Sequence, residues 1–215
     1  TPIKGPGAEL EFYRYYSSIS DYFGPVGYGW THNYNIRLEP EGGGLLENLT
    51  NENLIYYNEK NNKIVVTNNA GEFLAPPWER FKVTRDINHF ILEFYDKRKV
   101  YFYSQGEFSG KPAYTIDRFG NKTEYTYGGT NKLLSKVTDA VGRYLTFEYS
   151  GGLLTKVSDF TGREIRFIYD ANGDLIESVD LMNKSTVYTY LTNQHIGTLN
   201  HNMSSFTDSS NRTIE

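Results

Sequence analysis

Asp159-Phe160-Thr161-Gly162-Arg163-Glu164-Ile165-Arg166-Phe167-Ile168-Tyr169 carries the pattern on which the fold turns. In its second half Ile165, Phe167 and Tyr169 fall on one face of an extended strand, while Glu164 and Arg166 fall on the other. The Asp-x-x-Gly ahead of it reads as a tight turn. Asp170-Ala171-Asn172-Gly173-Asp174 behind it reads as another, because glycine and asparagine accept the positive φ that hairpin turns demand. A short strand, Leu175 to Val179, follows. The unit is one β-hairpin entered through a turn.

The template Asp-x-x-Gly-(Arg/Asn)-x-x-x-(Phe/Tyr)-x-Tyr starts four times, at Asp117, Asp139, Asp159 and Asp180, at spacings of 22, 20 and 21 residues. The first copy carries Gly120, Tyr125 and Tyr127. The second carries Gly142, Arg143, Phe147 and Tyr149, and the third Gly162, Arg163, Phe167 and Tyr169. The fourth has Asn183-Lys184 in place of Gly-Arg, then Tyr188 and Tyr190. A fixed period in the low twenties marks units that bury their apolar faces only by stacking on neighbours. A lone hairpin is marginal in water, so the unit makes sense only in series. The pattern predicts all-β architecture: consecutive antiparallel hairpins whose aromatic positions form ladders, each cross-strand pair contributing about 0.2–1 kcal/mol.

Around the repeats the chain divides into residues 1–40, a cap segment; 41–116, less regular hairpins; 117–192, the repeats; and 193–215, a tail opening a further copy. Strands are expected at Ile3 to Tyr16, Tyr34 to Leu38, Glu47 to Tyr57 (a pair around Asn51-Glu52-Asn53) and Lys63 to Thr67. His89 to Tyr95 and Lys99 to Tyr103 flank Asp96-Lys97-Arg98 as a hairpin. Gly24, Pro25, Gly27 and Gly29 crowd around Trp30, which predicts that this segment bends about a buried indole and caps the first hairpins. Asn193 to Ser210 is polar, with weak pattern, and reads as a linker. Thr1 in place of Met, and Asp208-Ser209-Ser210-Asn211-Arg212 as the start of another copy, read as a piece of a longer array.

The repeat resembles the YD repeat of the Rhs family. The segment Arg14-Tyr15-Tyr16-Ser17-Ser18 through Gly24-Pro25-Val26-Gly27-Tyr28-Gly29-Trp30-Thr31-His32-Asn33-Tyr34 is similar to the run that leads into such repeats, with Tyr16 where asparagine is usual. The resemblance covers residues 10 to 190. It implies a curved, spiralling sheet that closes as a hollow shell around a C-terminal toxin, released by aspartyl self-cleavage. Neither the cleavage region nor a toxin domain falls within these residues, so only shell building carries over. The partners implied are the rest of the repeat array or other copies of the chain, joined through β-edges, and a toxin domain. The location implied is secreted or cell surface.

Composition agrees with this class: among 215 residues there are 19 Tyr, 13 Phe, 20 Gly, 2 Met and no Cys. Without cysteine there are no disulfides, thiol nucleophiles or thiolate metal sites. A net charge of −4 gives no reason to expect nucleic acid, and no apolar run approaches a membrane span. The repeated Asp and Arg read as turn and packing residues, not as catalytic carboxylates. His32, His89, His195 and His201 lack metal-ligand spacing, so no cofactor or metal is expected. Asn48, Asn121 and Asn202 head glycosylation-like triplets that mean little in so asparagine-rich a chain. Three function classes remain: a structural shell strip without catalysis, an adhesive or self-assembling surface module built by edge pairing, and, least favoured, a glycan-processing enzyme.

Overall fold

The computed structural model describes residues 10–191 and 201–214. Their regular elements are β-strands, with one 3-10 turn at Leu46–Asn48. The strands from Phe81–Arg85 to Thr213–Ile214 are hydrogen-bonded in chain order in an antiparallel sheet of thirteen. Two compact units divide the chain, one of Thr1–Phe12 with Asn33–Tyr144 and one of Tyr13–His32 with Leu145–Glu215.

In the first unit, strands Arg37–Pro40, Leu54–Tyr57, Lys63–Asn69 and Glu72–Leu74 form a four-stranded meander. Leu38, Leu54, Tyr56 and Val66 pack with Phe81, Phe90, Leu92, Val100 and Phe102 in one core. Tyr56 meets Phe81 and Phe102 edge-on at 5.6 and 6.1 Å, the arrangement that ring quadrupoles prefer. The second unit holds the hairpins from Leu145 onward. There the turn at Gly151 (φ 59) and Gly152 (φ 89) joins Ser150 to its register partner Leu153.

Several expectations need correction. Glu47 to Tyr57 is not a strand pair: Leu46 is buried in the core, and the amides of Asn48 and Leu49 close back on the Leu45 and Leu46 carbonyls. With its hydrogen bonds made locally, this stretch has none left for a ladder, and only Leu54–Tyr57 is extended. The expected strand at Tyr34 to Leu38 lies at Arg37–Pro40, and Lys63 to Thr67 runs on to Asn69, opposite Glu72. Of Ile3 to Tyr16, only Arg14–Tyr16 is strand among described residues; Ile3 to Glu9 lies outside them. The tail is not all linker, since Met203–Thr207 pairs with Ser185–Tyr190 as the second arm of a hairpin. His195 lies outside the described residues.

The aromatic ladders also take another form. Tyr125 pairs with Val137, Phe147 with Val157, and Val157 in turn with Ile165. Each repeat contributes two strands, so its first aromatic recurs on every second strand and aliphatic positions fill the column between. The second aromatic lies beyond a bulge. Glu148 faces Lys156 but Tyr149 faces Leu154, which leaves Thr155 as an extra residue. The same shift precedes Tyr127, Tyr169 and Tyr190, with Ser135, Ile176 and Ser204 as the extra residues.

The bulge explains the second tyrosine. Between the Leu153–Asp159 and Glu164–Tyr169 strands, register pairs run only from Ser158–Glu164 to Lys156–Arg166. Beyond them Tyr169 donates its hydroxyl to the Leu154 carbonyl at 2.7 Å. Tyr190 does the same to Leu175 at 2.8 Å, and Tyr127 to Pro112 at 2.7 Å. In all three the acceptor lies 15 residues upstream. A main-chain acceptor beside a bulge is thereby satisfied by the next hairpin.

The turns are equally uniform. Asp159 Oδ1 accepts the amides of Thr161 and Arg163, while Arg163 Nε donates to Oδ2. Asp139 repeats this with Val141 and Arg143, and Asp208 with Ser210 and Arg212. Asp117 holds Phe119 and Asn121, and Asp180 holds Met182 and Lys184. The fourth turn residue is left-handed throughout: Gly120, Gly142 and Gly162 at φ 84–86, Asn183 and Asn211 at φ 59.

Two outcomes follow. Tyr169→Phe removes one hydroxyl and orphans the Leu154 carbonyl, so chemical denaturation should show a loss of about 1–2 kcal/mol. Ile168→Val, at an outward-facing position, should cost less than about 0.5 kcal/mol. At Gly162 an added Cβ meets nothing within 4 Å, so any penalty is conformational. Gly162→Val should therefore lose about 1–3 kcal/mol and Gly162→Asn clearly less, as measured by thermal melts.

Candidate functional site: the seat of the cap segment

The recurring carboxylates of the turns are occupied. Burial pushes Asp159 up, but hydrogen bonds from Thr161 and Arg163 outweigh it and hold its carboxyl below the usual range. At Asp208 the Arg212 guanidinium and nearby amides do the same. The more distinctive arrangement lies where Tyr13–His32 meets the hairpins within the second unit.

The cap segment is itself a small β structure. Arg14–Tyr16 pairs with Trp30–His32, and Phe23–Gly24 with Gly27–Tyr28. Within the first unit Tyr34 of the expected cap meets Tyr125 of the first repeat edge-on at 6.0 Å. Within the second unit, residues 13–32 dock on the stretch from Leu145 to Thr207, where a carbonyl and a tyrosine hydroxyl of the segment accept from amides of those strands. The Leu154 amide donates to the Pro25 carbonyl at 2.7 Å, and the Met203 amide to the Tyr16 hydroxyl at 2.6 Å. Gly27, at φ 91, lies so close to the turn at Gly173 that a methyl group there would stand 2.4 Å from the Gly173 carbonyl oxygen. Gly29, at φ 71, is pressed against Tyr16 and the Ser17 carbonyl, and Gly24 against the Tyr22 ring.

Trp30 is 7% exposed and anchors the centre. Its Nε1 donates to the Tyr190 hydroxyl at 2.9 Å, and its ring meets Tyr188 edge-on at 5.2 Å and Tyr16 at 5.1 Å. The Tyr190 hydroxyl thus accepts from the indole while donating to Leu175, and burial raises its pKa. Beside it Arg14 lies in an aromatic box. Its guanidinium carbon is 4.9 Å from the Phe167 ring centroid, 5.2 Å from Trp30 and 5.9 Å from Tyr188. Nη2 donates to the Ser178 and Tyr188 hydroxyls, and Nη1 is buried without a hydrogen-bond partner. Among the described residues no carboxylate pairs with Arg14, so its charge rests on ring faces and hydroxyls.

Two histidines complete the seat. His32 is 2% exposed, stacked on Phe147 at 6.1 Å, and burial lowers its pKa to about 3. His201 sits at φ 72 with Nδ1 2.9 and 3.0 Å from the two carboxylate oxygens of buried Asp174. Its ring stacks on Tyr28 at 3.8 Å. Burial raises Asp174, and the His201 contact offsets part of that rise. The whole can hold a peptide segment by main-chain amide donors, by cation–π contact and by stacking.

Of the residues singled out by sequence, Phe167, Tyr188 and Tyr190 converge here with Gly27, Gly29, Pro25 and Trp30, while Phe147 and Tyr169 lie along the same hairpins. Asp117, Gly120, Tyr125 and Tyr127 belong to the other unit and make the repeat's own turn and bulge contacts. Arg14, His32, Asp174, Ser178 and His201 were not foreseen as a group. Alternation along a strand signals burial, and no local pattern signals which distant side chain fills the seat.

Gly27→Ala tests this geometry. The methyl group must displace backbone, so the variant should lose several degrees in Tm. Trp30 emission should shift red, read in a Trp78→Phe background because Trp78 is 78% exposed.

Residues 1–65 match the family model described as a domain of unknown function, DUF6531. A search of curated proteins returns no match.

Proposed function

We propose that this chain is a non-catalytic structural module, a strip of wall in an Rhs-like, YD-repeat β-shell of the kind that encloses a C-terminal toxin. The observation that carries the reading is the hairpin itself. The same turn, the same bulge and the same tyrosine hydroxyl recur, and each hairpin offers the next a three-pair ladder and a carbonyl to cap. Such an edge accepts another hairpin indefinitely, which suits a wall and has no counterpart in a single catalytic centre. The repeated Asp and Arg side chains support it too, since each Asp carboxylate of the Arg-bearing copies is tied to the amides and the Arg Nε of its own turn.

The partners on this reading are further hairpins of the same array and the enclosed domain, with function outside the cell or at its surface. A second reading, a surface module that self-assembles through strand edges, draws on the edge strands at either end of the sheet. Phe81–Arg85 argues against it, because its exposed Lys82 is a charge of the kind that discourages edge pairing.

Imaging of the native gene product carrying residues 1–215, purified from its producing cell, separates the two. The wall reading expects residues 117–190 as consecutive hairpins of a closed wall, with sedimentation of the isolated chain showing one species. Fibres, or a concentration-dependent ladder of oligomers, would favour self-assembly.

A further inference from the structure

We propose that one end of the sheet in the first unit is a docking rim for an anionic lipid surface. Exposed apolar side chains on four successive chain reversals enter the bilayer interface, and arginines beside them meet lipid phosphate. The inference stands on exposure and charge at that rim and does not depend on the wall reading.

Antiparallel pairing fixes which reversals lie together. Phe81 faces Phe94 and the Tyr95 amide donates to the Arg80 carbonyl, so residues 75–80 and the turn at 95–98 share one end. Lys99 faces Ile116, which sets the Asp117 turn beside them. Glu124 faces Thr138, which sets the Asp139 turn next. Successive turns stand two strands apart, about 10 Å. Trp78, Tyr95, Phe119 and Val141 belong to these four reversals and are between 55% and 78% exposed. The reversals of the opposite end, at 86–88, 104–111 and 128–132, are mostly polar residues and glycine. Among their described residues Ile87 is the one exposed large apolar side chain.

One exposed apolar residue is ordinary, but a row of them on adjacent turns marks a contact surface. Turn chemistry does not ask for them. Phe119 and Val141 serve their turns only through main-chain amides donated to Asp117 and Asp139. Thr161 and Ser210 hold the same position in other copies and donate in the same way. A polar residue does that work equally well, so the ring and the isopropyl group are free for another use.

Charge at the rim names the partner. Residues 75–80, 95–98, 117–122 and 139–143 hold six Lys or Arg against four Asp or Glu, in a chain with 22 against 26. Three of those carboxylates are engaged locally: Asp96 by the Arg98 amide, Asp117 by its own turn, Asp139 by Arg143. The ion pairs of this end use Lys97, Lys122 and Arg143. Arg80, Arg98 and Arg118 are exposed and have no carboxylate partner among the described residues. Arg98 lies over the Phe94 ring at 4.2 Å and Arg118 over Phe119 at 4.5 Å. A guanidinium laid on a ring keeps its fork free for bidentate contact with phosphate.

The shape of the rim favours lipid over peptide. A peptide needs a groove or a free strand edge, and tips at the ends of paired strands offer neither. A bilayer accepts a ridge. Tryptophan and tyrosine settle at the headgroup level, and apolar side chains reach about 5–10 Å into the interface. Arginine heads stay among the phosphates, each favouring an anionic surface about fivefold.

The test is partitioning of the full chain onto phosphatidylcholine vesicles with and without phosphatidylserine, read by co-sedimentation and by Trp78 emission. The chain should sediment with the anionic vesicles far more than with the neutral ones, and less as salt rises. Trp78 should shift blue and be quenched by brominated acyl chains. Trp78→Phe, which keeps the buried Trp30, should lose both signals. Arg98→Gln combined with Arg118→Gln should cut partitioning about 25-fold, and Phe119→Ser about tenfold. Ile87→Ser, at the opposite end, should leave it unchanged. These positions are exposed, so the fold does not rest on them. Failure to bind anionic vesicles overturns the proposal, as does full binding by the double arginine variant or equal loss in Ile87→Ser. A blue shift of Trp78 on concentrating the chain without lipid, with a dimer in sedimentation, assigns the rim to a second copy and overturns it too.

Discussion

A β-bulge in the second strand of a hairpin leaves a carbonyl beside it in need of a donor, and much of this molecule follows from how that need is met. The ladder joining one hairpin to the next is three residue pairs long. Beyond it the strands part, and the tyrosine two residues after the core aromatic reaches back to the carbonyl. One side chain closes the gap, satisfies the backbone and contributes a ring to the packed face. The aspartate turns then return the chain to start the next hairpin at the same offset.

The apolar face so built in the second unit is not left to water. Phe147, Phe167 and Tyr188 meet His32, Arg14 and Trp30 of the cap segment. Arginine suits this position for its planarity: it lies against rings while its fork reaches hydroxyls, where an ammonium would need water or a carboxylate. Buried cations without counter-ions are costly, and the unpaired Nη1 is a residue of that cost.

The hairpins were legible because their signals are local. Alternation at Ile165, Phe167 and Tyr169, glycine at 162 and asparagine at 183 each follow from strand parity or turn dihedrals. The bulges were not, since Ser135, Thr155, Ile176 and Ser204 share no chemistry; only register reveals them. Leu46 escaped because one buried side chain overrode a strand-like run. Met203–Thr207 escaped because its partner strand lies across a long interruption. The seat was half legible: turn formers around Trp30 announced a buried indole, but Arg14, His32 and His201 depend on residues 27 to 174 positions away.

Amide hydrogen exchange at Leu154 and Met203 tests the central claim most directly, because these two donors bond to the cap segment. The account predicts that at neutral pH both are protected, with matching opening free energies, together with the amides of Arg14–Tyr16. Free exchange at Leu154 and Met203, while their ladder neighbours stay protected, would contradict it.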